Sequence, residues 1–330
     1  WLVSALQVGA AIVLYEGSPA YPNLETLWRM AAETGVSVFG ASPKFYTGCQ
    51  KAGVAPGASF DLGKLKAVLS TGSPLTAENF RWVYDAVKRD VQLSSISGGT
   101  DIISCFMLGA PMLPVYPEEI QCRGLGMKVE AFSDRGDSLS DQVGELVCTA
   151  PFPSAPVGFW NDPDGSRYHE AYFTHFPGVW RHGDFIKITP RGGVIVYGRS
   201  DATLNPGGVR IGTAEIYNPV EALDEVLDSV VVGQRWNDDV RVVLFVALAD
   251  GVSLDDSLRN RIREAIRAAA TPRHVPALIL QVNEIPHTIS GKKVEIAVTR
   301  MIHGEPVGNR DALANPDSLD QFANIPQLRV

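Results

Sequence analysis

Apolar residues recur at helical spacing in two segments of the first hundred residues. Both sets fall at positions that place their side chains on one face of a helix. The first set is Leu24, Leu27, Trp28 and Ala31, and the second is Phe80, Val83, Tyr84 and Val87. Gly35 follows the first set as a helix stop, and Thr76 precedes the second as a plausible N-cap. The pattern predicts two amphipathic helices.

Short apolar segments follow each of these helices. Residues 36–40 and 91–96 read as strands, and the second runs into a glycine-rich stretch at residues 97–100. Strands that alternate with helices are typical of a mostly parallel α/β sheet. We therefore assign residues 1–120 to part of a large α/β domain.

The helical periodicity fades from about residue 119 to residue 197, and we assign residues 121–199 to a second subdomain. Short strands are predicted at residues 144–149, 185–189 and 194–197, with turn residues such as those at 161–165 between the segments. This pattern predicts a compact β-rich subdomain with a barrel-like form.

Beyond residue 200 the pattern changes again. Strands are predicted at residues 229–233, 241–248 and 278–282, and a helix carries Leu258, Ile262, Ala265 and Ile266 on one face. We expect an α+β domain over residues 200–330, with its boundary near residues 199–201.

The chain opens on Trp1 with an apolar stretch that ends at Tyr15. The stretch is too short for a membrane span and lacks the basic start and cleavage site of a signal peptide. We expect a buried helix that runs into a strand. The absence of an initiator methionine suggests a fragment of a longer polypeptide.

Composition excludes some functions. The net charge of −8 is spread without long runs, which argues against a nucleic-acid partner.

Cys49, Cys105, Cys122 and Cys148 are widely spaced and show no C-x-x-C pattern. Reduced thiols and a cytoplasmic location are therefore expected. Oligomeric state stays open.

Three motifs occur in an order that carries more information than any one of them. Residues 182–185 read H-G-D-F, residues 197–212 read Y-G-R-S-D-A-T-L-N-P-G-G-V-R-I-G, and residues 289–293 read I-S-G-K-K. Together they resemble the adenylate-forming enzymes, which include acyl-CoA synthetases, luciferases and nonribosomal adenylation domains. The resemblance implies ATP, Mg²⁺, a carboxylic acid and a thiol acceptor such as coenzyme A. It also implies that the C-terminal α+β domain is a mobile lid.

The resemblance gives nucleotide-binding roles to two regions. Asp184 would accept hydrogen bonds from the ribose hydroxyls, with Arg199 as a second ribose contact. Gly72, Ser73 and Pro74 lie in a turn that resembles the adenine-contacting turn of the family. Taken alone, each of these is an ordinary turn or surface residue.

The segment from Ser97 to Asp101 would handle phosphate and metal. Gly99 lets the backbone approach a nucleotide closely. By resemblance, the Thr100 hydroxyl would donate to the α-phosphate and act in catalysis, and Asp101 would bind Mg²⁺, which prefers oxygen ligands. The family segment ends in Thr-Glu, so the shorter Asp101 is a departure.

The lid residues are placed by the same resemblance. Lys292 matches the lysine that bridges the substrate carboxylate and the α-phosphate during activation, whereas Lys293 is expected to face solvent. Asp201 matches the hinge of the lid. Gly207 and Gly208 would form a wall for pantetheine. Arg210 is assigned to the nucleotide or thiol substrate, and Arg263 to a phosphate of coenzyme A.

The acyl pocket is assigned from one glycine together with longer stretches of sequence, because no single short motif marks it. Acetate-activating members carry a tryptophan where this chain has Gly98, so an acid larger than acetate is expected, with Ser97 beside it. Wider stretches at residues 95–102, 118–126 and 159–165, and a tail at residues 312–316, resemble the acetoacetate-activating branch of the family. They imply acetoacetate as substrate and this chain as a C-terminal half.

One departure leaves alternatives open. The family carries a Ser/Thr/Gly-rich loop with a lysine that cradles the outer phosphates, and no such loop occurs in these 330 residues. A chain without it would activate acids poorly. The alternatives are a ligase for another short-chain acid and an inactive module that only binds nucleotide or coenzyme A.

Overall fold

The computed structural model describes residues 2–202, 204–206, 211–237, 239–289 and 291–329. The chain divides into two compact units. The first comprises residues 1–182 and 186–196, and the second comprises residues 183–185 and 197–330. The three-part division expected from the sequence, at residues 120 and 199, stays a prediction.

The first unit begins with a parallel sheet between helices. The helices are α1 (Leu2–Gln7), α2 (Thr26–Thr34), α3 (Pro43–Lys51), α4 (Pro56–Ser59) and α5 (Ala77–Trp82), the last extended by a π-helical turn over Val83–Val87. The strands are β1 (Val38–Ala41), β2 (Ala67–Ser70) and β3 (Gln92–Ser95). They pair in parallel in the order β1-β2-β3. The predicted α/β pattern is confirmed.

Two local signals place these helices. Gly35 adopts a left-handed conformation at the end of α2, where its backbone N–H bonds to the last turn. The Thr76 hydroxyl accepts from the Asn79 backbone N–H at 3.2 Å and caps α5. The apolar faces meet in an aromatic core in which Trp28 stacks on Phe39 with ring centroids 4.3 Å apart.

The remainder of the first unit is β-rich. Strands β4 (Ser97–Gly99), β5 (Ser104–Leu108) and β6 (Cys122–Arg123) form an antiparallel sheet. Five further strands and one helix follow: β7 (Val129–Phe132), β8 (Ser138–Leu139), β9 (Val143–Cys148), α6 (Ser166–Tyr172), β10 (Trp180–Ile188) and β11 (Val194–Arg199). Residues 183–185 of β10 and 197–199 of β11 belong to the second unit. Their order is β11-β10-β9-β7-β8. The sheet ends at β11 and β8 and does not close, so the expectation of a barrel-like subdomain is wrong in that respect.

The second unit contains a three-stranded sheet covered on both faces. Its elements are α7 (Thr213–Glu221), β12 (Val226–Trp236), β13 (Asp239–Leu248), α8 (Asp256–Ala269), β14 (Leu278–Val282) and α9 (Glu295–Ile302). β12 and β13 are antiparallel, and β14 runs parallel to β13.

The sequence of β13 explains why both faces are covered. Alternate residues of a strand point to opposite faces, and nearly all of this strand is apolar. Leu244 packs in a core with Ile262 of α8, whereas Phe245 packs in a second core with Val298 of α9. The predicted α+β architecture is confirmed for this unit.

The start of the chain differs from expectation. Helix α1 is present, but Leu6, Val8 and Leu14 are 59%, 81% and 75% exposed, and no strand follows between residues 8 and 20. The apolar pattern predicted burial because such side chains usually pack, yet no described element covers this segment. Among the described helices, none is both long and apolar enough to cross a membrane.

Candidate active site

In the first unit, two candidate segments begin where neighbouring parallel strands end. β2 ends at Ser70 and β3 at Ser95, and these two residues are paired in register. The Ile96 backbone N–H donates to the Ser70 carbonyl at 3.0 Å. Open α/β sheets bind ligands beyond the carboxyl ends of their strands. The geometry therefore brings the turn at residues 72–74 next to the segment at residues 97–101.

The turn that contains Gly72, Ser73 and Pro74 leaves the sheet toward solvent. Gly72 has a φ of +105°, a conformation that L side chains rarely adopt, and a Cβ there would meet nothing within 4 Å. Gly72 and Ser73 are exposed, and Leu75 is buried behind them. The turn thus exposes the backbone at Gly72 with open space beside it, which is compatible with a flat ring lying against it.

The next glycine pair, Gly98 and Gly99, lies in β4. A Cβ on Gly98 would lie 2.2 Å from the Ser104 carbonyl oxygen, because β5 approaches closely at an irregularity in the pairing between Ser97 and Gly98. The close approach of the β5 backbone is enough to explain why a glycine occupies position 98, so the glycine does not by itself indicate an open acyl pocket. The roles of Gly98 and Ser97 in acyl binding therefore stay a prediction.

Thr100 and Asp101 begin a 3-10 turn directly after β4. Thr100 is exposed, and Asp101 is partly buried. The Tyr172 hydroxyl donates to Asp101 Oδ2 at 2.5 Å, and the Tyr172 ring stacks on Trp180 with centroids 3.6 Å apart. A carboxylate held by a short hydrogen bond from a rigid aromatic ring has a defined direction. Tyr172 lies 71 residues from Asp101, and no motif of the sequence predicts this contact.

The residues around Asp101 fit a metal ion that takes most of its ligands from substrate phosphates and water. Within the described parts of the chain there is no group of three or more His, Cys, Asp or Glu side chains that could hold a metal ion. Magnesium commonly binds through one or two carboxylates together with substrate phosphates and waters. A single carboxylate at Asp101 is compatible with that mode.

In the second unit, Arg199 lies between two carboxylates. Its Nη1 is 3.7 Å from Asp184 Oδ1, and its Nε and Nη2 donate to the two oxygens of Asp201 at 3.1 and 2.9 Å. Asp184 is only 8% exposed, whereas the Arg199 side chain is 47% exposed. The cluster places the Asp184 carboxylate beside the Arg199 guanidinium, which Asp201 also holds.

Gly183 allows this arrangement. Its φ is +90°, and a Cβ there would lie 2.7 Å from Arg199 Nη2. Its carbonyl also accepts from the Ser200 backbone N–H at 2.8 Å. A side chain at this position would displace the guanidinium and strain the backbone.

Lys292 lies in a tight turn between β14 and α9. The Thr288 N–H donates to the Lys292 carbonyl at 2.8 Å, and the Lys292 N–H donates to Thr288 Oγ1 at 3.0 Å. Lys292 is exposed. Hydrogen bonds between Thr288 and Lys292 therefore close the turn whose side chain carries the ammonium.

Lys293 does not face solvent, so that expectation is wrong. Its side chain is 16% exposed, and its Nζ lies 2.7 Å from Glu221 Oε1 and 2.6 Å from Asp228 Oδ1. The ammonium also lies 4.6 Å from the centre of the Tyr217 ring. Burial lowers the pKa of Lys293, but the two carboxylates outweigh it, and the net pKa is raised.

The remaining candidates are Arg263, Gly207, Gly208 and Arg210. Arg263 lies on α8, where its Nη1 donates to Asn260 Oδ1 at 3.2 Å, and its role stays a prediction. The other three lie outside the described residues.

Comparisons with known proteins agree with the motif order. A family model described as AMP-binding enzyme matches residues 1–152. Acetoacetyl-coenzyme A synthetase of Rhizobium meliloti (strain 1021) is 55% identical over 329 residues, which is 100% of this chain and 51% of the relative. Acetoacetyl-CoA synthetase of Danio rerio is 51% identical over 100% of this chain and 49% of the relative. Over residues 1–152 the chain matches the AMP-binding enzyme family, and over its whole length it is similar to acetoacetyl-CoA synthetases.

Solved structures give the same result for the fold. The acetoacetyl-CoA synthetase from Streptomyces lividans superposes with a TM-score of 0.91 at 46% identity, covering 100% of this chain and 51% of that one. The anthranilate CoA ligase AuaEII, at 20% identity and a TM-score of 0.72, shares the fold. The chain spans about half the length of the relatives that it matches.

Proposed function

We propose that this chain acts in the ATP-dependent ligation of acetoacetate to coenzyme A. The main support for this proposal is that the whole chain is 55% identical in sequence to an acetoacetyl-coenzyme A synthetase. The ordered set of Asp184, Arg199, Asp201 and Lys292 supports it. The reaction proceeds in two steps through an acetoacetyl-adenylate and releases pyrophosphate and then AMP.

In the first step, an oxygen of the acetoacetate carboxylate attacks the α-phosphorus of ATP, and pyrophosphate leaves with the electron pair of the broken P–O bond. The Lys292 ammonium approaches both reacting groups, where it offsets the repulsion between two anions and the charge that builds in the transition state. Thr100 donates to an α-phosphate oxygen. Asp101 would hold part of the coordination shell of Mg²⁺, which would supply neutralisation of the phosphate charge.

Nucleotide binding is assigned to separate groups. Asp184 accepts hydrogen bonds from the two ribose hydroxyls, and Arg199 supports its carboxylate. The backbone of Gly72, Ser73 and Pro74 lies along the adenine ring. Positioning of this kind supplies much of the rate enhancement, because little covalent chemistry falls to the protein.

In the second step, the thiolate sulfur of coenzyme A attacks the acyl carbon, and AMP leaves. Gly207 and Gly208 would flank the pantetheine arm, Arg210 would contact nucleotide or thiol, and Arg263 would contact a phosphate of coenzyme A. Asp201 is the proposed hinge of the lid over residues 200–330.

The proposed place of action is the cytoplasm. Cys49, Cys105, Cys122 and Cys148 are all free thiols, which is typical of proteins in reducing compartments. The net charge of −8 supports small-molecule substrates over a nucleic acid.

Acid-dependent exchange of labelled pyrophosphate into ATP tests the proposal. It should be measured on the complete polypeptide that its gene encodes, with acetoacetate, butyrate and acetate compared at equal concentration. We expect the highest kcat/KM with acetoacetate. A clear preference for butyrate would reject the proposed substrate, and no exchange with any acid would reject the proposed reaction.

A further inference from the structure

The turn that carries Lys292 is tied to a buried polar cluster in the second unit. His287 and Lys293 pair across the base of the turn in an antiparallel bridge. One ring nitrogen of His287, Nδ1, lies 3.1 Å from the Gly291 carbonyl, the residue directly before Lys292. The other, Nε2, lies 2.7 Å from Asp228 Oδ2.

Asp228 joins both sides of this base. One of its oxygens faces His287, and the other faces the Lys293 ammonium at 2.6 Å. Lys293 also bonds to the Ser229 carbonyl and to Glu221. Both Asp228 and His287 are 8% exposed. The turn is therefore fixed to β12 through the buried Asp228 and to α7 through Glu221, whose side chain is 28% exposed.

The donors and acceptors of the cluster restrict the arrangement of its side chains. A carbonyl oxygen and an ionised carboxylate only accept hydrogen bonds, so His287 makes both of its bonds as a donor only when both ring nitrogens carry a proton. Lys293 in turn has three N–H donors and three acceptors, from Glu221, Asp228 and Ser229. Each donor is matched by an acceptor.

Stability alone gives a weak reason for such a cluster. A buried ion pair costs so much desolvation that well-packed apolar side chains often stabilise a fold equally well. What a matched polar cluster adds is direction, because its hydrogen bonds are satisfied in one arrangement. Here, the arrangement determines where the backbone on either side of Lys292 lies.

We propose that Lys293, Asp228 and His287 are positioning residues that hold the Lys292 turn in the geometry needed for adenylate formation. The proposal rests on the proposed function for the role of Lys292. It predicts that loosening the cluster slows the first half-reaction far more than the second, in which Lys292 has no part.

Two readouts test the proposal on the complete polypeptide. Lys293→Met removes the ammonium and keeps an unbranched side chain of nearly the same length. The control is Lys187→Met, which removes another partly buried lysine, 27% exposed and 3.3 Å from Asp141. His287→Gln is a second variant that leaves Lys293 in place. Its amide donors share one nitrogen, whereas the two partners of His287 face separate ring nitrogens, so the variant keeps at most part of the contact.

The first readout is amide hydrogen exchange, which requires no activity. The Gly291 and Lys292 amides donate to Thr288 at 2.8 and 3.0 Å. We expect both to exchange about tenfold or more faster in Lys293→Met than in the unmodified protein or the control, because local opening of the turn becomes easier. Unchanged exchange would overturn the proposal whatever the activity.

The second readout is the ratio of the half-reactions. We expect the kcat of pyrophosphate–ATP exchange to fall roughly tenfold or more in Lys293→Met, with coenzyme A acylation from supplied acyl-adenylate within about threefold of normal. Parallel losses in both steps, or none, would overturn the positioning role. If the unmodified protein shows no exchange activity, the proposed function fails, and the amide readout still decides whether the cluster holds the turn.

Discussion

Replacing Asp184 by asparagine tests the nucleotide site with little disturbance of the fold. The asparagine amide is close in shape to the carboxylate but presents N–H donors where one acceptor oxygen stood. A hydrogen bond to a charged group contributes about 1.5–3 kcal/mol, and the substitution removes one such bond to ribose and weakens another. We expect a loss of about 2–4 kcal/mol in AMP binding, which corresponds to a rise in Kd of roughly 30- to 700-fold.

The effect on stability is expected to be much smaller. Asp184 lies 3.7 Å from an Arg199 side chain that is 47% exposed, and ion pairs with an exposed partner contribute about 1 kcal/mol or less. A large loss of affinity without a matching loss of stability would therefore distinguish a ligand-binding carboxylate from a structural one.

Titration calorimetry with AMP, together with urea unfolding, measures both quantities. The control is Asp141→Asn, which removes an exposed carboxylate that pairs with Lys187 at 3.3 Å. It should leave the Kd for AMP unchanged. If Asp184→Asn bound AMP within about twofold of the unmodified protein, the ribose role of Asp184 would be refuted.

Two further predictions concern the first unit. The hydrogen bond from Thr149 is the main cause of the lowered pKa of Glu130, so Thr149→Val should raise that pKa in an NMR titration. Because a lowered carboxyl pKa stabilises the fold above its unfolded value, the variant should be less stable than the unmodified protein near neutral pH, and the difference should vanish on acidification. The buried Gln121 amide bonds to the Ala110 N–H and carbonyl, so Gln121→Leu should cost about 2–4 kcal/mol in the free energy of unfolding. The exposed Gln7→Leu should cost almost nothing in the same urea experiment, and equal costs would contradict the reasoning.

Local signals predicted much of the fold. Gly35 and Thr76 marked helix ends that the structure confirms, because caps depend on a few neighbouring residues. The continuous apolar run at residues 242–248 likewise matched a strand covered on both faces. The exposure of Leu6, Val8 and Leu14 was not predictable. An apolar pattern indicates that side chains can pack, but it does not tell whether another element of the chain packs against them.

The candidate site was predicted less completely, for a physical reason. The contacts that orient its side chains join residues far apart in sequence, such as Tyr172 with Asp101 and Lys293 with Asp228. The residue type of Lys293 indicated a solvated side chain, and only the tertiary structure brings two carboxylates to it. Gly98 illustrates the converse, since a glycine that suggested an empty pocket lies against the backbone of β5.

The proposed reaction requires the Lys292 ammonium during acid activation. Lys292→Ala removes an exposed side chain, so folding should be unaffected. In the complete polypeptide, we expect acetoacetate-dependent pyrophosphate–ATP exchange to fall about a hundredfold or more, while coenzyme A acylation from supplied adenylate stays within about threefold of normal. Exchange at the normal rate in Lys292→Ala would show that the Lys292 ammonium takes no part in acid activation.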